Sequence, residues 1–233
     1  MQYITNFSDL DLNGRYSYAD YLLWRFEQSV ELIKGKVFEM SPAPGVRHQK
    51  ISFKLSGEFY KHFADGTCQV FAAPFDVRLL DRAKSSRQNK DIYTVVQPDL
   101  CVICDKEKLD EKGCIGSPDL IIEILSPGNS KKEMKIKYAL YEESGVWEYW
   151  VVYPSEYVVL QFVLNQAGKY ELKSSYAEDE ILQSHIFPEV ELNLGFISII
   201  FAEKPKYHLK LTFYLAFHYY THLQWREENR QSS

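Results

Sequence analysis

Two acidic residues stand where a carboxylate is costly. Glu123 lies in DLIIEIL (119–125), a near-continuous apolar run. Asp99 follows Pro98 in a second apolar stretch, 94–104. A carboxylate among isoleucines persists when it is paired, hydrogen-bonded or bound to metal. Strand alternation puts Asp119, Ile121, Glu123 and Leu125 on one face, and Asp99, Cys101 and Ile103 on one face of the other stretch. Two carboxylates on neighbouring strands make a hard-oxygen site suited to Mg²⁺ or Mn²⁺, which take one or two carboxylates plus water and phosphate oxygens. Such an ion can generate hydroxide and offset charge in phosphodiester hydrolysis. The competing reading is two strand-end acids ion-paired to neighbours, and spacing alone leaves both open.

Other chemistry is poorly supported. Cys101 and Cys104 with Cys114 imitate part of a zinc pattern, but residues three apart on a strand face opposite ways. His218 and His222 have i, i+4 spacing with no third ligand nearby in sequence. There is no Gly-rich phosphate loop and no Gly-x-Ser-x-Gly elbow, so no dependence on a nucleoside triphosphate is expected.

The elements that must position these acids follow from periodicity. Residues 17–28 predict a short helix, with Tyr18, Tyr21, Leu22 and Phe26 on one stripe. ELIKGKVFEM (31–40) predicts a hairpin turning at Lys34-Gly35. After a breaker cluster at 41–45, Ile51, Leu55, Phe59 and Phe63 recur every four residues, a helix ending near Ala64. Strands are expected at 69–72, 75–80, 94–104 and 119–125, with a basic loop at 82–90 and a charged turn at 105–113. Ser130 and Glu133 form a capping-box pattern opening a helix over 130–144. The next strand, 147–153, makes this a strand–helix–strand unit of the parallel crossover type. Segments 157–164 and 170–172 predict an antiparallel meander, and 187–201 an extended stretch. The tail 206–233 mixes LTFYLAFHYY with a polar end and predicts an added helix packing on the domain or a partner.

Composition narrows the class. The 233 residues are 45% hydrophobic, enough for a core, and 15% aromatic. With 27 basic and 32 acidic residues the net charge is -5, which argues against a uniformly basic nucleic-acid binder. The balance is uneven, however: residues 138–203 hold 11 acidic and 2 basic residues, the remainder 21 and 25. A local basic face around an acidic metal site fits that distribution. The start of the chain shows no secretory signal, and no apolar run has membrane-spanning length. A cytoplasmic protein with reduced cysteines is expected.

Several ordered blocks resemble the Uma-type family of bacterial candidate endonucleases: ELIKGKVFEMSPAPGVRHQKIS (31–52), APFDVRL (73–79), QPDL (97–100), PDLIIEILSP (118–127), KIKYALYEESGVWEYWVVYP (135–154) and IFPEVELNL (186–194). The resemblance covers roughly residues 15–203. It implies a restriction-endonuclease-like α/β (α+β) fold, a mixed central sheet flanked by helices with an added β meander. It divides the chain into a single domain, 1–205, and the tail. Within the domain lie a helix and hairpin (15–41), a nuclease core (46–153) and a meander (156–203). It implies an Mg²⁺- or Mn²⁺-dependent endonuclease acting on DNA, with Asp99 and Glu123 as metal ligands. The superfamily pattern places a lysine two residues after the second carboxylate, where this chain has Leu125. The resemblance assigns that role to Lys137 on the following helix, while Lys131, Lys132 and Lys135 read as solvated charges. It also suggests Glu31 as a further metal ligand, and His48 with Gln49 as phosphate or orienting contacts. Cutting both strands favours a homodimer. The alternative is a catalytically silent nucleic-acid or protein-binding module on the same fold, which the absence of lysine at Leu125 favours.

Overall fold

The computed structural model describes residues 2–40, 45–80, 87–126 and 131–197. Its helices are α1 (Tyr18–Tyr21), α2 (Val46–Phe63) and α3 (Lys131–Ser144). Strands β1 (Val30–Ile33) and β2 (Lys36–Glu39) form the first hairpin. Then come β3 (Gln69–Ala72), β4 (Val77–Arg78), β5 (Val95–Val96), β6 (Leu100–Ile103), β7 (Leu109–Asp110), β8 (Gly113–Ile115) and β9 (Leu120–Ile124). After α3 follow β10 (Glu148–Tyr153), β11 (Val158–Leu164), β12 (Tyr170–Ala177), β13 (Ile181–Gln183) and β14 (Glu191–Asn193). The tail 206–233, the end of the stretch 187–201, the cap residue Ser130, and parts of the breaker 41–45 and the basic loop 82–90 lie outside the described residues.

The chain folds as mixed α and β structure around two six-stranded sheets. The central one has the order β12-β11-β10-β9-β6-β3, with β9 and β10 parallel and the other pairs antiparallel. The parallel pair is the expected consequence of joining β9 to β10 through α3. Alternation divides the central strands cleanly. Leu100, Val102, Leu120, Ile122 and Ile124 pack with Ile51, Leu55, Phe59 and Phe63 of α2. Cys101, Ile103, Ile121 and Val151 pack with Leu140 and Tyr141 of α3. With both faces covered, β9 is buried along its whole length, which is why it reads as continuous apolar sequence. The other sheet runs β2-β1-β5-β4-β8-β7. In its hairpin Lys34 (φ 52°) and Gly35 (φ 85°) are both left-handed, the two-residue loop whose twist matches antiparallel strands.

Three local expectations are corrected. The helix over 17–28 stops at Tyr21, because the backbone at 23–25 turns to Ile4: Ile4 N–H donates to the Leu23 carbonyl and Arg25 N–H to the Ile4 carbonyl. Trp24 then stacks with Phe26 instead of continuing a stripe. The strand over 94–104 is two strands, β5 and β6, belonging to different sheets. Pro98, lacking an N–H, sits at the break. The cysteines are not all reduced: Cys68 and Cys104 form a disulfide. The β3–β6 register pairs Gln69 with Ile103, so the next rung sets these two cysteines side by side.

Candidate active site

The break at Pro98-Asp99 brings the two sheets to one point. Beyond it, Asp99 lies beside the end of β9, and its Oδ2 accepts the Ile124 N–H at 2.7 Å. Its other oxygen, Oδ1, lies 3.1 Å from His48 Nε2, which the first turn of α2 delivers on its buried face. Burial alone would lower the His48 pKa, but the hydrogen bond and charge of Asp99, joined by the charge of Glu123, raise it overall.

Glu123 projects from β9 toward α3. Its Oε1 accepts from Lys137 Nζ at 3.0 Å and from the Tyr141 hydroxyl at 2.6 Å. Lys137 and Tyr141 are i, i+4 on α3, so one helix face delivers both. Lys137 Nζ also donates to Glu31 Oε1 at 3.1 Å. Glu31 comes from β1, which pairs with β5, and the same Oε1 accepts the Gln97 N–H at 2.9 Å. Glu31, Glu123 and Lys137 are all buried. Burial raises the Glu123 carboxyl to about 7; Lys137 pulls it down, and Asp99 and Glu31 push it up. For Lys137, burial works against the ammonium, but the charges of Glu123 and Glu31 outweigh it and the pKa is raised. The Tyr141 phenol is pushed far up by burial and then by Glu123, so it stays protonated and remains a donor.

Of the residues singled out in the sequence, Asp99, Glu123, Lys137, Glu31 and His48 converge. Gln49 does not; the next residue after His48 on α2, it is turned away from the site and exposed. Leu125 packs into the apolar cluster on the α3 side of the sheet. A lysine there would point into hydrocarbon, while Lys137 brings a cation to Glu123 from the helix. Sequence reading missed Tyr141, Gln97 and Asp76. Tyr141 had a usable signal, its four-residue spacing from Lys137. Gln97 had only its place before Pro98-Asp99. Asp76 Oδ1 accepts from Gln97 Nε2 at 2.8 Å and lies 3.4 Å from the Tyr21 hydroxyl, a link between distant segments that no local pattern announces. Burial raises the Asp76 carboxyl, with the Gln97 and Tyr21 hydrogen bonds opposing.

Among the described residues, no three of His, Cys, Asp and Glu form a ready-made ion cage. Glu31 Oε1 is turned to Lys137 and the Gln97 amide. The donor set nevertheless suits a hard cation. Asp99 and Glu123 offer carboxylate oxygens within one another's electrostatic reach: the Glu123 carboxyl is raised first by burial, Lys137 opposes that, and the charges of Asp99 and Glu31 add to it.

Residues 18–195 match the model of the Uma2 family, described as "Putative restriction endonuclease". The chain belongs to the Uma2 family. The uncharacterized protein slr1290 of Synechocystis sp. (strain ATCC 27184 / PCC 6803 / Kazusa) is 24% identical over 165 residues, 70% of this chain and 81% of that protein. A crystal structure of a putative nuclease belonging to DUF820 from Anabaena variabilis ATCC 29413 superposes with a TM-score of 0.60 at 20% identity, covering 78% of this chain and 97% of that one. The Uma2 chain thus shares the fold of that nuclease-family protein, a mixed sheet flanked by helices. No described helix is long and apolar enough to cross a membrane.

Proposed function

We propose that this Uma2 chain is an Mg²⁺- or Mn²⁺-dependent endonuclease that hydrolyses phosphodiester bonds of DNA. The observation that carries the reading is the position of Lys137 Nζ between Glu31 and Glu123, with Asp99 beside the end of the strand that carries Glu123. Asp99 and Glu123 would hold the ion, with Glu31 assisting. The ion would supply charge neutralisation at the phosphate and a lowered pKa for water. Lys137, kept charged by two carboxylates, would polarise the attacking water or offset charge on the phosphate. Tyr141 fixes the Glu123 carboxylate, and Glu31 fixes Lys137. His48 fixes Asp99 through Oδ1, leaving that carboxylate's remaining lone pairs for a ligand. The silent-module reading rested on Leu125, and a cation supplied from α3 removes its main support.

The test is nicking of supercoiled plasmid with Mg²⁺ or Mn²⁺, with and without chelator. Wild type should cut, whereas Asp99→Asn and Lys137→Met should not, each with an unchanged circular dichroism spectrum. Cutting that survives chelator or Asp99→Asn, or a wild type that cuts no DNA under either ion, would sink the proposal.

A further inference from the structure

The outward face of α2 carries a row that stays exposed among the described residues. Val46, Phe53 and Tyr60 recur at seven-residue intervals and are 65%, 84% and 67% exposed. Seven residues bring a helix back to nearly the same direction, so the three form one line along it. Gly57 lies between Phe53 and Tyr60, and a Cβ built there meets nothing within 4 Å. Glycine inside an exposed helix weakens it, and its usual compensation is close approach by another segment. Lys50 stands between Val46 and Phe53, and on one flank Lys54 and Lys61 pair with Glu58.

Where the described chain ends bears on what covers this row. Leu194 and Ile197 are buried in the same cluster as Ile51, Leu55, Phe59 and Phe63, so the last described turn packs against α2. Beyond Ile197 the chain continues to Ser233, and YHLKLTFYLAFHYY (207–220) is the first long aromatic run it offers. No acidic residue occurs from Lys204 to Arg226. Nine residues, 198–206, precede the run; extended, they span about 30 Å, comparable to the roughly 27 Å length of an 18-residue helix.

We propose that the Val46–Phe53–Tyr60 face of α2 is the docking surface for segment 207–220 of the same chain. A tethered segment avoids the cost of bringing two molecules together and acts at high effective concentration. A second copy meeting the same row fits less well. Four aromatic rings from two copies would bury about 600–1,000 Å², below the roughly 1,200 Å² at which specific dimer interfaces begin. The row lies on the side of α2 away from His48, so the docked segment backs the helix that delivers His48 to Asp99.

The test uses the full chain with p-benzoylphenylalanine in place of Phe53. It is irradiated as a mixture of isotope-labelled and unlabelled protein and mapped by mass spectrometry. Cross-links within one chain into 207–220, with a yield independent of concentration, are expected. Cross-links joining labelled to unlabelled chains would assign the face to a second copy and overturn the proposal, as would an absence of protein cross-links. In a second arm, Phe53→Ser/Tyr60→Ser should speed amide exchange in 207–220 by about tenfold while the β9 amides keep their protection. Unchanged exchange in 207–220 would also overturn it.

Discussion

Lys137→Met isolates the ammonium at the centre of the site. Methionine keeps an unbranched apolar stem and removes the charge and its donors. The lysine is buried, and its Nζ serves two buried carboxylates, at 3.1 Å to Glu31 and 3.0 Å to Glu123. Removing one partner of a buried ion pair typically costs about 3–5 kcal/mol, because the remaining charge is left uncompensated. Here two carboxylates lose their shared cation, but Glu123, whose carboxyl already stands at about 7, can relieve part of the penalty by taking up a proton, so the full range applies. For a chain of this size each kcal/mol moves Tm by about 2–4 °C, so the variant should melt about 6–20 °C lower. Scanning calorimetry with urea titration measures this directly. A companion variant, Glu31→Gln/Glu123→Gln/Lys137→Met, removes the charges together. Replacing a whole buried ion pair is often close to neutral, so most of the lost stability should return while plasmid cutting stays absent. A single variant that loses less than about 1 kcal/mol would refute the reasoning, since it would mean that the carboxylates do not depend on Lys137. A triple variant no more stable than the single one would refute it equally.

Three further outcomes follow from the same geometry. Glu148 is fully buried and accepts from Trp150 Nε1, Gln161 Nε2, Ser184 Oγ and the His185 and Ile186 amides; Glu148→Ala should cost at least about 3 kcal/mol in urea titration, because several buried donors lose their acceptor at once. Gly113 has φ +125°, and a Cβ there would sit 2.2 Å from the Asp76 carbonyl oxygen; Gly113→Ala should lower stability by on the order of 3 kcal/mol, whereas Gly168→Ala, with left-handed φ but open space, should cost less by calorimetry. Arg78 holds the Asp110 carboxyl below its ordinary value, so this pair contributes stability at neutral pH that is lost as pH falls through the folded-state pKa. The stability gap between wild type and Asp110→Asn should therefore be widest at neutral pH and close as pH falls below the ordinary carboxylate range, and a gap that grows on acidification would contradict the pairing.

Much of the architecture was legible because the responsible interactions are local or periodic. The α2 stripe, the left-handed turn at Lys34-Gly35 and the doubly buried strand around Glu123 are each written in spacings of four, two and one residues. The same holds for the two carboxylates, since an acid inside an apolar strand advertises its cost. Lys137 was legible only through family resemblance, because helical periodicity cannot say which lysine of four faces a strand.

Tertiary structure decided the rest. The strand over 94–104 breaks at Pro98 because its halves find partners in different sheets, and that break places Asp99 beside Ile124 and Gln97 beside Glu31. The expected helix past Tyr21 yields to hydrogen bonds with Ile4, far off in sequence. Cys68 meets Cys104 only because β3 and β6 pair in one register. Sequence by itself determined which residues had to be satisfied: buried carboxylates needing donors, apolar stripes needing cover. Only the fold decided who satisfies them, because Glu31, Asp76, Gln97, Glu123 and Lys137 are separated by up to 106 positions and meet through sheet pairing and helix crossing rather than through any local pattern.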